Sequence, residues 1–330
     1  MTASVVISRQ GKVRQFYRQA GRKITQIQAW LLSIKGIMCV FIALFSLYLV
    51  GNIPSGGVIN AWYSIWGSSQ VPSLRLQNYR LLGEPIALNE ITHNGSGLTY
   101  NRDTNTLFAI MNNPTKIVEM TLKGNELRSI ELKGFDDTEG LTYLGEGRYA
   151  LVEEEHRGVV IVDIDANTEY LLRSSGSGVA FSLTEKKNKG FEGIAYNSND
   201  KSLFVVNEKL PRVLYRLDGV VEKSYGGISI ANPWSMEDHS LGKQDLSGLH
   251  FLSDVGNLLI LSDESKSITE TSLTGERIST LSLRSGSAGL SDMVPQPEGV
   301  TVDHEGHLYI LSEPNLLYRF TPPSPQLTAH

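Results

Sequence analysis

The sequence predicts an all-β fold, a five-bladed β-propeller of four-stranded antiparallel blades, preceded by one N-terminal transmembrane helix. Three observations carry this expectation. A short pattern, Ser or Glu, then Gly, then alternating apolar positions, recurs with its glycines at Gly97, Gly140, Gly193, Gly248 and Gly299, which stand 43, 53, 55 and 51 residues apart. A period near 50 with several short strands per unit is the signature of a propeller. Seven basic residues precede position 36, whereas the first acidic residue is Glu84. An uncharged apolar run then fills 36–50.

Along the chain, residues 1–30 form a basic segment with Arg9, Lys12, Arg14, Arg18, Arg22 and Lys23. Residues 31–50 are long enough to cross about 30 Å of hydrocarbon as a helix. Lys35 lies near one end, where its stem reaches the headgroups. The positive-inside rule places residues 1–30 in the cytoplasm and the rest of the chain outside, in the periplasm of an inner membrane. A cleaved signal peptide is disfavoured by the long basic region and the lack of an A-x-A-like site. The lone cysteine, Cys39, sits among Met38, Val40 and Phe41, which excludes an intramolecular disulfide and any Cys-based metal site. Residues 51–74 read as a Gly/Ser/Pro tether, with Trp62, Tyr63 and Trp66 suited either to a membrane interface or to packing on the body.

The body spans 75–320, with 321–330 as a tail. Its units read S-G-L-T-Y at 96–100, E-G-L-T-Y at 139–143, E-G-I-A-Y at 192–196, S-G-L-H-F at 247–251 and E-G-V-T-V at 298–302. Each is followed by a second apolar run that ends in polar residues. Third and fourth strands follow, as at 117–122 and 126–132. The last unit supplies only three strands, at 300–303, 307–311 and 316–320. The unpaired strand-like segment at 79–88 is expected to close the ring as its fourth, which removes exposed edges.

Charge excludes one class of function. The chain carries a net −5, yet beyond the seven N-terminal cations 23 basic residues face 35 acidic ones. A nucleic-acid binder needs a basic face on its folded part, and this body is acidic.

Chemistry is expected where the innermost strands begin and the second strands end, because both columns meet at one mouth of the central channel. The strand-start column is Ser96, Glu139, Glu192, Ser247 and Glu298. The strand-end column is Asn112, Glu153, Glu208, Asp263 and Glu313. Long connections at 173–189, 223–243 and 284–295 emerge at the same face, where a rigid scaffold presents binding loops. Three carboxylates at about 6 Å repel by roughly 3 kcal/mol per pair at an effective dielectric near 20. Such a cluster must protonate, disperse, pair with cations or hold a metal. Hard oxygen donors without His or Cys suit calcium far better than zinc. Glu139, Glu192 and Glu298 are the leading candidate ligands, with Glu153, Glu208, Asp263 and Glu313 behind them.

Two apparent motifs are hairpin turns instead. Asp163-x-Asp165-x-Asn167 begins like an EF-hand loop, but Thr168 and Ser174 stand where Gly and Glu are required. His304-Glu305-Gly306-His307 is one residue short of H-E-x-x-H.

The basic segment, the single anchor and the repeated E-G-[LI]-x-Y units resemble the SdiA-regulated (YjiK-like) family of Gram-negative bacteria. The resemblance implies a five-bladed propeller distantly related to NHL repeats, with calcium at a shared site carried by Glu139, Glu192 and Glu298. Ser96 and Ser247 interrupt the acid column, so any ring is asymmetric. Two functions follow as expectations. One is a membrane-anchored periplasmic binding module whose loop-bearing face takes a protein or polymer. The other is a calcium-dependent hydrolase (a lactonase, esterase or phosphoesterase) with Glu208, Asp263 or His250 as candidate base.

Overall fold

The computed structural model describes residues 72–323 apart from 155, 157, 181–189, 208–212, 223–226 and 234–244. Within them the chain forms a five-bladed propeller. The segments 1–30, 31–50 and most of 51–74 lie outside the described residues; among the described residues no helix is long and apolar enough to cross a membrane.

Blade one runs through Gly95–Asn101, Thr106–Met111, Lys116–Thr121 and Glu126–Lys133. Blade two comprises Thr138–Gly145, Arg148–Glu153, Gly158–Asp163 and Ser177–Ala180. Blade three comprises Phe191–Asn197, Ser202–Asn207, Val213–Asp218 and Ser229–Ala231. Blade four comprises Gly248–Leu252, Asn257–Ser262, Ser267–Thr271 and Arg277–Ser282. Blade five comprises Gln296–Val302, Leu308–Glu313 and Leu316–Thr321.

The N-terminal side completes blade five, as the sequence implies. Arg80–Leu81 and Ile86–Ala87 both pair antiparallel with Leu316–Thr321, Arg80 opposite Thr321 and Ile86 opposite Leu317. Packing starts slightly earlier than the tether reading suggests. Ser73 Oγ donates to Glu270 Oε2 at 2.7 Å and the Leu74 N–H to Glu270 Oε1 at 3.1 Å, while Leu76 and Tyr79 are fully buried.

The core is partitioned between blades. Among the described residues, apolar clusters join blades one and two around Phe108 and Tyr149, two and three around Val205 and Phe191, and three and four around Phe204 and Phe251. Two more join blades four and five around Leu261 and Phe320, and five and one around Leu311 and Met111. Each second strand is therefore covered on both faces. That explains why Leu107, Leu203 and Leu258 begin nearly continuous apolar runs instead of alternating ones.

The repeated glycines have a steric cause. A Cβ on Gly97 would stand 2.9 Å from Gly140 Cα, one on Gly140 2.8 Å from Glu192 O, and one on Gly193 3.1 Å from Leu249 N. One on Gly248 would stand 2.8 Å from Glu298 O, and one on Gly299 2.7 Å from Leu98 N. Each glycine touches the backbone of the next blade's innermost strand, and the contacts close into a ring. The period is thus a record of backbone-to-backbone packing around the channel.

Blade two departs from the expected order. After Gly158–Asp163 the chain crosses over, and Tyr170–Leu172 pairs parallel with Glu126–Lys133 of blade one. The true outer strand of blade two, Ser177–Ala180, lies inside the stretch read as a connection at 173–189. Likewise Ser229–Ala231, the outer strand of blade three, lies inside 223–243. Both strands are short and largely exposed, so they carry no apolar signal. Residues 284–295 do form a loop, held down by buried Leu290 and Val294.

Candidate functional site

Four innermost strands carry a β-bulge at the Ser or Glu of the repeat. The register shifts between Gly95 and Gly97, Thr138 and Gly140, Phe191 and Gly193, and Pro297 and Gly299. In blade four, Ser247 N donates to Leu261 O at 3.0 Å while Gly248 pairs with the same leucine. A bulge sets two residues against one and re-aims the extra side chain. Ser96, Glu139, Glu192, Ser247 and Glu298 accordingly line one constriction of about 10 Å³, room for about one water. The strand-start column converges as the sequence indicates.

Burial dominates the electrostatics there. Glu139 is raised from 4.5 to about 8, first by desolvation and then by the nearby Asp137 and Glu154 carboxylates, against hydrogen bonds from Ser96 and Asn112. Glu298 is also raised to about 8, by desolvation first, then by Asp263, Glu313 and Glu139, against a hydrogen bond from Gln296. Gln296 Nε2 donates to Glu298 Oε1 at 3.0 Å. Asn112 Nδ2 donates both to Asp137 Oδ1 at 2.7 Å and to Glu139 Oε1 at 2.8 Å. Carboxylate oxygens of Asp137, Glu139 and Glu154 all lie within 4.8 Å of one another. These three carboxylates offer only hard oxygen donors, which fits calcium and not a soft metal.

The strand-end column needs one correction. The partners of Gly97, Gly140, Gly248 and Gly299 are Ile110, Val152, Leu261 and Leu311. The column two residues on is therefore Asn112, Glu154, Asp263 and Glu313, with Glu154 where the sequence reading placed Glu153. A one-residue slip reverses a strand residue's face. Glu153 points into the blade instead, 1% exposed, and takes a 2.7 Å hydrogen bond from Arg173 Nε. Asp263 and Glu313 do come within electrostatic reach of Glu298, and Asp263 is ion-paired with Lys266. Glu208 lies outside the described residues.

Sequence reasoning missed Asp137 and Glu154. Glu154 was hidden only by the acidic residue beside it. Asp137 adopts a φ of 50°, a left-handed turn conformation that Asp tolerates better than most residues.

The other mouth of the channel is chemically different. It holds a cavity of about 450 Å³ lined by Tyr100, Tyr143, Tyr196, His250, Phe251 and other residues. Neighbouring innermost strands are tied together at its floor, Thr99 Oγ1 accepting from Tyr143 N at 3.2 Å and Thr301 Oγ1 from Tyr100 N at 3.0 Å. His250 Nδ1 lies 3.4 Å from Thr301 Oγ1, and burial lowers the imidazole to about 4, so it is neutral at pH 7. His250 thus opens away from the glutamates. A second acidic group, Asp303, Glu305 and His307, is a turn as the sequence indicates. Asp303 is spent on the Glu305 and His307 N–H groups and the Tyr309 hydroxyl, each at 2.9 Å.

Among solved structures, the chain is similar to one in a nidogen/laminin complex, with 13% identity, 67% of this chain and 73% of that one covered, and a TM-score of 0.45. A streptogramin B lyase is 15% identical over 77% of this chain and 76% of that one, with a TM-score of 0.40. A luciferin-regenerating enzyme is 12% identical over 72% of this chain and 95% of that one, with a TM-score of 0.45. The model of the SdiA-regulated family matches residues 72–321, and the chain belongs to that family.

Proposed function

We propose that the protein is a calcium-binding interaction module, tethered to the inner membrane by residues 31–50 and presenting its propeller in the periplasm. The observation that carries this reading is the meeting of Asp137, Glu139 and Glu154 beside the constriction that Glu192 and Glu298 also line. Without a cation, burial leaves Glu139 and Glu298 largely protonated at neutral pH, with both pushed to about 8. Calcium would supply the charge that lets these carboxylates ionise, with Asp137, Glu139 and Glu154 as its principal holders. The connections between blades enter the innermost strands at this mouth. A cation there would stiffen the surface to which a protein or polymer ligand binds.

Among the described residues, no geometry favours the hydrolase alternative over binding. Of its candidate bases, His250 lines the opposite mouth and Asp263 is paired with Lys266. Calcium-dependent melting of the full chain tests the proposal. Calcium should raise the melting temperature over a chelator control, and Glu192→Gln should weaken that rise. Identical melting with calcium and with chelator would sink the metal reading.

A further inference from the structure

The cavity at the opposite mouth has the size of a small-molecule site, about 450 Å³ against a usual range from about 300 Å³ upward. Its wall is aromatic. Tyr100, Tyr143 and Phe251 are fixed, Tyr100 by Asn105 Oδ1 at 2.9 Å and a stacked His304 ring, Tyr143 by Asp103, and Phe251 by burial in the core. Such rings present apolar faces at low entropic cost.

Its two charges without a partner among the described residues stand on different blades. Arg102, on blade one, lines the cavity, is exposed, and makes no hydrogen bond or ion pair among the described residues. Its guanidinium acts on Tyr100, Tyr143 and Tyr196 together, opposing the rise that burial causes in each phenol, which sets it on the side of blades one to three. Arg148 reinforces that side through Tyr196. Asp254, on blade four, also lines the cavity, is exposed, and likewise has no partner among the described residues. Glu305 of blade five, which stands between blades four and one, adds a second exposed carboxylate and acts on Tyr100 together with Arg102. Blades one and four are not neighbours in a ring of five, so the uncommitted cation and the uncommitted anion face each other across the mouth. Tyr196 adds a hydroxyl without a hydrogen-bond partner among the described residues.

We propose that this mouth binds a small zwitterion, a free amino acid or short peptide, with its carboxylate on Arg102, its ammonium on Asp254 and its apolar body against the tyrosine rings. An anion alone would leave Asp254 without a partner, and a cation alone would leave Arg102 without one. A ligand with separated opposite charges satisfies both Arg102 and Asp254.

The test is calorimetric titration of the full chain with Phe and Ala-Phe, and with the C-terminal amide and N-acetyl derivative of Ala-Phe. Phe or Ala-Phe should bind, and blocking either end of Ala-Phe should weaken binding about tenfold, as expected for loss of one partner from a charge-assisted contact. Arg102→Gln should erase the preference for the free carboxylate, and Asp254→Asn the preference for the free amine. Absence of binding by both Phe and Ala-Phe, equal binding of the blocked forms, or undiminished end preferences in the variants would overturn the proposal.

Discussion

Arg173 donates from Nε to Glu153 Oε2 across 2.7 Å, onto a carboxylate that is 1% exposed. The pair explains two features together. It holds the segment after the Tyr170–Leu172 crossover against blade two, and it shows that Glu153 belongs to the blade interior while Glu154 belongs to the mouth.

The two adjacent glutamates should therefore separate cleanly. Glu153→Ala strands a guanidinium and is expected to cost about 2–4 kcal/mol in chemical denaturation, with the calcium response retained. Glu154→Gln should leave stability without calcium within about 0.5 kcal/mol of wild type and reduce the calcium response. The reverse pattern would reinstate Glu153 as the ligand.

The glycine ring predicts a large, local intolerance. Gly140→Ala forces a Cβ to 2.8 Å from the Glu192 carbonyl oxygen, where neither backbone can yield. We expect a loss of about 3 kcal/mol or more, read as a lowered denaturation midpoint or as misfolding. A neutral Gly140→Ala variant would mean that neighbouring innermost strands lie further apart than they do here.

Ring closure rests on the N-terminal side. Leu76 is fully buried among Leu283, Tyr318 and Phe320. Leu76→Ala should cost about 2–5 kcal/mol, the usual range for a truncated core leucine. An effect below about 1 kcal/mol would show that residues before blade one are not needed to close the ring.

Stability should depend on pH with an unusual sign. Folded-state Glu139 and Glu298 titrate near 8 against 4.5 when unexcluded from water, so between those values the native state holds protons that the unfolded state has released. Stability without calcium should then fall as pH rises from about 4.5 to 8, by on the order of a few kcal/mol for the pair. Saturating calcium should flatten that slope, because it favours the ionised carboxylates. Thermal melts across this window, with and without calcium, check both statements.

Membrane orientation is independently testable. Alkaline phosphatase fused after residue 75 should be active, as the basic N-terminal segment implies. Activity confined to a reporter that works only in the cytoplasm would contradict it.

Much of this was legible in the sequence because it is periodic. Gly97 to Gly299 mark the innermost strands, and the bulged Ser or Glu before each glycine marks the mouth. What escaped was set by register and tertiary pairing. Ser177–Ala180 and Ser229–Ala231 are exposed edge strands without alternation, so their residues look like loop. The Glu153-Glu154 pair gives no sequence clue to which carboxylate faces the channel; only the pairing of Gly140 with Val152 decides it. The tyrosine-lined mouth was invisible for a related reason, since Arg102 and Asp254 lie in turns of blades that are distant in sequence.

Titrating calcium into the full chain in a calorimeter tests the central claim most directly. Saturable binding is expected, lost or greatly weakened by Glu139→Gln, the residue shared by the three-carboxylate cluster and the channel constriction. No binding heat across pH 6 to 8, or binding unchanged in Glu139→Gln, would contradict it.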